Sequence, residues 1–250
     1  MKYLLAIALI FNLQGAVAAE LAQVTLHLVG DSTMSDKTNL SYPERGWGQL
    51  LPGFLLPQLT VVNHAANGRS TRRFLHEGRW QRLLSEVAAG DYVLIQFGHN
   101  DSKQSDPARY AAAGSDYRQF LQQFIADVRE RGATPMLASS ICRRNFAEDG
   151  SVVRDLAAYA DAAKVVAQQQ NISFFDLQTL SCDFWQQQGK ADSQPYFIQI
   201  PAGLYQKFPE GKTDNTHLTL QGATLVAQFF VSELKRQQHP LASYVYRQQL

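Results

Sequence analysis

The sequence predicts a single α/β domain built on a five-stranded parallel sheet with helices on both faces. Five short apolar runs recur along the chain, and stretches with helical spacing separate them, which is the pattern of a parallel sheet covered on both sides. The chain has 250 residues, 45% of them hydrophobic, enough for one sizeable core. No Pro/Gly/Ser-rich linker, low-complexity tract or long repeat divides it.

Each element has its own signal. Val24 to Val29 reads as a buried first strand that runs into Gly30-Asp31-Ser32. Trp47 to Leu56 has the spacing of a short amphipathic helix. Leu59 to Asn63 is the second strand, followed by His64-Ala65-Ala66-Asn67-Gly68. Glu77 to Ala89 reads as a helix stopped by Gly90. Asp91 to Phe97 is a third, strongly apolar strand that ends in Gly98-His99-Asn100-Asp101. Ser115 to Arg131 puts Phe120, Leu121, Phe124, Ile125 and Val128 on one side of a helix. Thr134 to Ser140 is the fourth strand, Arg154 to Gln170 a helix, Ile172 to Leu177 the fifth strand, and Thr219 to Gln237 the last helix. Right-handed crossovers bring every strand's C-terminal end to one edge, beyond which ligands bind in such sheets. The polar residues after strands one to three are therefore expected to converge.

Residues 1–19 read as a secretory signal peptide. Lys2 gives a positive start, Tyr3 to Leu13 is almost wholly apolar, and Ala16-Val17-Ala18-Ala19 supplies small residues for cleavage. The apolar run falls short of the ~20 residues that span a bilayer, so no membrane anchor is expected after cleavage. A single domain over residues 20–250, exported to the periplasm or the medium, follows. The net charge of +1 gives no field that would mark a nucleic-acid binder. Two cysteines, Cys142 and Cys182, are compatible with one disulfide or with two buried thiols. They lack the spacing of a zinc site.

Three features carry chemistry. Ser32 directly follows a strand, where Gly30 allows a tight turn and the serine can open the next helical turn, with its hydroxyl at the sheet edge and its N–H pointing outward. Asp214 and His217 lie three residues apart just before the last helix, in what reads as a tight turn. A serine hydroxyl needs a base, histidine supplies one, and a carboxylate on its other nitrogen sets the tautomer. Gly68 can offer a bare N–H and Asn100 a side-chain amide, which together with the Ser32 N–H would make three donors to an oxyanion. Singly, these are also what a helix cap, a capped surface turn and two turn formers look like.

Taken in order, Gly-Asp-Ser, Asn-Gly-x-Ser, Gly-x-Asn-Asp and Asp-x-x-His resemble the four blocks of the GDSL/SGNH hydrolases. The resemblance covers essentially the whole mature chain. It implies Ser32 as nucleophile, His217 as base, Asp214 as its orienting partner, and Gly68 and Asn100 as oxyanion donors. The first block reads Gly-Asp-Ser-Thr rather than Gly-Asp-Ser-Leu, which points to a subgroup. Gly30 to Asp36 with Gly46-Trp47-Gly48, and Asn63 to Thr71 followed by Glu77-Gly78-Arg79-Trp80, look like the rhamnogalacturonan acetylesterases and related carbohydrate deacetylases. That implies a three-layer α/β/α fold, removal of acetyl groups from pectic sugars, and no metal or organic cofactor. No Gly-x-Ser-x-Gly elbow is present, which disfavours an α/β-hydrolase.

Arg69, Arg72, Arg73 and Arg79 cluster after strand two, and Arg143 and Arg144 follow strand four. Arginine pairs with carboxylates in bidentate fashion, so Arg69, Arg72, Arg79 and Arg143 are candidates for binding an acidic sugar backbone, or else for structural ion pairs. Trp47 and Trp80 can stack on sugar rings or fill the core. His64 and His99 stand next to the site blocks without a carboxylate partner in sequence. Three other readings compete. Asp31, Asp101, Asp214 and His217 could gather a metal for phosphoester hydrolysis. The chain could bind carbohydrate without turnover. The same machinery could act on a xylan acetate, a lipid acyl ester or a thioester.

Overall fold

A computed structural model describes residues 21–38 and 42–247, so the expected leader over residues 1–19 lies outside the described residues. Five strands form one parallel sheet: β1 (Val24–Gly30), β2 (Leu59–Asn63), β3 (Tyr92–Gln96), β4 (Thr134–Ala138) and β5 (Phe174–Phe175), in the order β2-β1-β3-β4-β5. Alternate residues of each strand face opposite layers. Leu26, Leu28, Leu94 and Met136 enter one core, while Val29, Val93, Ile95 and Leu137 enter the other. Both faces are apolar, which is why the strands read as unbroken hydrophobic runs.

The helices divide between the two faces. α1 (Trp47–Leu50), α6 (Leu177–Asp192) and α7 (Leu220–Arg236) cover the first through Trp47, Trp185 and Phe230. α2 (Thr71–His76), α3 (Arg79–Glu86), α4 (Asp116–Glu130) and α5 (Ala157–Gln170) cover the second through Phe74, Trp80, Phe124 and Val166. The result is the expected three-layer α/β/α sandwich. Among the described residues no helix is long and apolar enough to cross a membrane.

Several boundaries differ from the sequence reading, each for a local reason. The helix expected over 77–89 forms only over 79–86 as α3, and a separate, unanticipated helix, α2, precedes it; the chain breaks between them at Gly78, whose φ of +69° no β-carbon-bearing residue adopts easily. Ser70 caps α2 by accepting from the Arg73 N–H at 3.2 Å. The expected Trp47–Leu56 helix is α1 followed by a 3-10 turn over Leu51–Phe54, with Pro52 at its start. Strand five stops at Phe175 because Asp176 accepts from the Thr179 N–H (3.1 Å) and so starts α6, an unanticipated helix. The last helix is preceded by a two-stranded antiparallel ribbon, β6 (Phe197–Ile200) with β7 (Lys212–Leu218), also unanticipated.

Cys142 and Cys182 are disulfide-bonded, tying the loop after β4 to α6 across 40 residues of chain. Trp47 and Trp80 are both wholly buried. The Trp80 indole donates to Asp127 at 2.7 Å and packs on Phe124 with ring centroids 4.1 Å apart. The expectation that Trp80 meets sugar is thereby corrected: its apolar area is used in the core, and its one donor is satisfied there.

Candidate active site

The chain reverses direction across the sheet between β1 and β3, and crevices open at such switch points beyond the strand ends. Ser32 follows β1 there. Instead of opening a helix, it sits in a single turn in which the Asp31 carbonyl accepts from the Met34 and Ser35 N–H groups at 3.2 and 3.0 Å. The constraint at Gly30 is space: a β-carbon would lie 2.8 Å from the Gln96 carbonyl oxygen. The Asp31 side chain turns inward. Its Oδ1 accepts from the Thr33 N–H and hydroxyl at 2.9 and 2.8 Å, and its Oδ2 lies 3.2 Å from His99 Nδ1. Burial works against ionisation of Asp31, but the interactions with His99 and Thr33 outweigh it and hold its pKa below the ordinary value. His99 thus has the carboxylate partner that the linear sequence does not reveal. His64 does not line the crevice; its Nε2 lies 3.0 Å from His27 Nδ1.

Asp214 and His217 lie on β7, at the point where its register with β6 jumps. Phe197 pairs with Leu218 but Ile198 with Asp214, which leaves Asn215 to His217 bulged out of the ladder. Asp214 Oδ1 closes the bulge by accepting from the N–H groups of Thr216 (2.9 Å) and His217 (3.0 Å). The tight turn read from the sequence is therefore a bulge in a strand. The exposed imidazole edge reaches back to β1: Ser32 Oγ is 2.9 Å from His217 Nε2, and His217 Nδ1 is 2.7 Å from Asp214 Oδ2. With Nδ1–H donating to the carboxylate, Nε2 is the acceptor for the serine proton. Burial pushes the Asp214 pKa up, but the hydrogen bond and charge of His217 and the two backbone donors prevail and hold the carboxyl far below the usual carboxylate range.

Gly68 and Asn100 line the same cavity as Ser32, Asp214 and His217, a space of about 500 Å³. Gly68 has a φ of +75° and open space where a β-carbon would go, so its glycine answers to conformation and not to crowding. Asn100 is buried and donates one amide hydrogen to the Arg69 carbonyl at 3.0 Å, which leaves the other for a ligand. Lys37 supports this wall from below. Its buried ammonium lies 2.8 Å from Glu44 and within hydrogen-bond reach of Asn67, next to Gly68.

Asp101 couples the two loops that carry Gly68 and Asn100. Its Oδ1 accepts from the N–H and hydroxyl of Thr71 at 3.0 and 2.5 Å, while its buried Oδ2 has no partner. Burial, only partly offset by Thr71, raises its pKa from 3.8 to about 7. A folded-state pKa above the unfolded one means that the folded state binds the extra proton, so stability should fall as pH rises from about 4 to about 7. Asp101→Asn keeps the shape and removes the charge. Its stability should be flatter than that of the parent over this window, with a difference at neutral pH of up to about 4 kcal/mol. Urea denaturation at pH 4.5 and 7.5 measures this, and parallel changes in the two proteins would refute it.

The basic residues separate. Arg69 pairs with Glu77 (2.9 Å) and donates to the Asn67 carbonyl (2.7 Å), and Arg79 pairs with the same Glu77 at 2.9 Å. Arg72 donates to the Tyr110 carbonyl at 2.8 Å and pairs with Asp116. None of these three lines the cavity; in the structure each is a partner in an ion pair beside it. Arg143 does line it, with Nη1 on Asp155 (2.6 Å) and Nη2 on the His99 carbonyl (3.2 Å). Arg144 instead pins the ribbon, donating to Asn215 Oδ1 at 2.8 Å. The sequence reading missed Glu44, Lys103 and Arg109, all on the cavity wall. Lys103 follows Asn100 by three residues, and that proximity to a site block was the available signal. Asp31, Asp101, Asp214 and His217 do not gather: among the described residues no three His, Cys, Asp or Glu side chains converge on a possible metal position.

Residues 28–225 match the model of the GDSL-like lipase/acylhydrolase family. The rhamnogalacturonan acetylesterase RhgT of Bacillus subtilis is 34% identical over 222 residues, covering 89% of this chain and 94% of that one. The rhamnogalacturonan acetylesterase of Emericella nidulans is 28% identical, covering 83% of each. Among solved structures, YxiM of Bacillus subtilis superposes with a TM-score of 0.72 at 27% identity, covering 88% of this chain, which spans 58% of YxiM. An acetylxylan esterase of Geobacillus stearothermophilus shares the fold at a TM-score of 0.63 and 17% identity, covering 85% of this chain and 94% of that one. From its first strand to its last helix, the chain belongs to the GDSL-like lipase/acylhydrolase family.

Proposed function

We propose that this protein is an exported serine esterase that removes O-acetyl groups from pectic carbohydrate, with acetylated rhamnogalacturonan as its substrate. The observation that carries the reading is the unbroken Ser32–His217–Asp214 hydrogen-bond chain at 2.9 and 2.7 Å. Its substrate assignment is supported by relatives named as rhamnogalacturonan acetylesterases, two of which span most of both chains. Export is supported by the leader-like residues 1–19 and by a disulfide, a bond that persists in oxidising compartments.

The Ser32 oxygen attacks the acetyl carbonyl while His217 Nε2 takes the hydroxyl proton. The carbonyl π electrons move onto oxygen, and the Ser32 and Gly68 N–H groups with the free Asn100 amide hydrogen hold that oxyanion. Collapse breaks the bond to the sugar oxygen, which leaves with the proton from His217. Water then attacks the acetyl-enzyme, again with His217 as base, and releases acetate and the free serine. Asp214 stays ionised throughout and stabilises the imidazolium.

Acetate release from acetylated rhamnogalacturonan, homogalacturonan, xylan and a small synthetic ester tests the assignment. The highest kcat/KM is expected on rhamnogalacturonan. A clear preference for xylan would overturn the substrate, and no turnover of any ester would overturn the activity.

A further inference from the structure

We infer that Lys103, Arg109 and Arg143 form a carboxylate-binding subsite inside the catalytic cavity, which seats the acid group of a uronic-acid residue at or next to the acetylated sugar. The inference rests on the esterase reading above. All three cations line the cavity that holds Ser32 and His217. They come from two loops, the one after β3 and the one after β4, which the parallel topology brings to the same edge.

Two of the three are held in place by acids of their own. Arg109 Nε lies 2.5 Å from Asp106, and Arg143 Nη1 lies 2.6 Å from Asp155. Lys103 is different: no carboxylate among the described residues lies within ion-pair distance of its ammonium. The side chain is exposed, yet partial loss of water lowers its pKa first and repulsion from Arg109 and Arg143 lowers it further, which the charges of Asp106 and Asp31 only partly offset. A cation that shares a cavity wall with two others and has no ion pair of its own is complementary to an anion supplied from outside. Glu44 and Asp214 on the same cavity are already engaged, by Lys37 at 2.8 Å and by His217 at 2.7 Å.

Position restricts what the anion can be attached to. Arg109 Nη1 lies 3.4 Å from Asn100 Oδ1, the far end of the amide whose nitrogen faces the oxyanion position. An acid group bound there is therefore within one or two sugar rings of the reacting carbonyl. A pectic backbone offers a carboxylate at that spacing, whereas acetylated xylan, with a neutral backbone, does not.

The test compares acetylated rhamnogalacturonan oligosaccharides with the same material after its carboxyl groups are reduced to alcohols. The readout is the ratio of kcat/KM on the acidic substrate to that on the reduced one. Lys103→Ala should lower this ratio about tenfold, as loss of a charged hydrogen bond does, and Lys103→Glu should lower it further. Because Lys103 is exposed and supports nothing else, both variants should fold, which a thermal melt checks. Raising the salt concentration should shrink the wild-type ratio, since exposed charges are screened. Lys164→Ala, which removes the same charge from the outer face of α5, should leave the ratio where it was. A ratio near one in the wild type, or the same ratio in Lys103→Ala, overturns the subsite while leaving the esterase assignment standing. A wild type that releases acetate from neither material overturns the esterase assignment, and the subsite with it.

Discussion

Ser32→Ala is expected to lower kcat on any accepted acetyl ester by about a millionfold, because nucleophile and base act as one unit. The residue is small and its variant isosteric apart from the oxygen, so the fold should persist; the Gly68 N–H and the Asn100 amide remain to hold an oxyanion. A residual rate above the uncatalysed one should therefore survive, carried by binding and oxyanion stabilisation alone. Asp214→Asn should cost about ten-thousandfold, since an amide presents no charge to the imidazolium and can select the wrong tautomer. Steady-state acetate release with a folding check by circular dichroism measures both. A Ser32→Ala rate within tenfold of the parent would remove Ser32 from the mechanism.

Removing the disulfide should produce the largest loss of stability. Cys142 and Cys182 close a loop of 40 residues, and constraining a loop of that size in the unfolded chain is worth about 4 kcal/mol in the chain-entropy description. The double variant Cys142→Ser/Cys182→Ser should lose about that much in chemical denaturation, and the parent should lose a similar amount when unfolded in reductant. The bond also lies one residue before Arg143 and two before Arg144, which line the cavity and pin the ribbon respectively. Activity of the double variant should therefore fail at a lower temperature than its secondary structure. Two titratable thiols in the native, unreduced protein would contradict this account.

The main sheet was legible because its physics is local. Buried parallel strands must be apolar on both faces, so Val24 to Val29 and Asp91 to Phe97 announce themselves. The convergence of Ser32, Gly68 and Asn100 was legible for the same reason, since each follows a strand that could be read. The ribbon was not. Lys-Thr-Asp-Asn-Thr-His-Leu has no apolar alternation, and it is a strand only because β6 supplies backbone partners and Arg144 anchors Asn215. α6 was hidden because its first residue, Leu177, continues the apolar run of strand five, and its start is set by one capping side chain, Asp176. Trp80 shows another limit: nothing in its neighbourhood distinguishes an indole that meets sugar from one that meets Phe124. Arg109 escaped because it sits on an irregular loop whose return to Asn100 exists only in three dimensions, whereas Lys103 stood three residues from a site block and could have been read.

Ser32 and His217 are separated by 185 positions, and the base rides on a ribbon outside the main sheet. A partly folded chain with a finished sheet would thus have an oxyanion pocket and a hydroxyl but nothing to activate it. In the proposed mechanism, ester cleavage becomes possible only when the ribbon docks. The appearance of activity during refolding should consequently report the last assembly event, trailing any spectroscopic signal from the core.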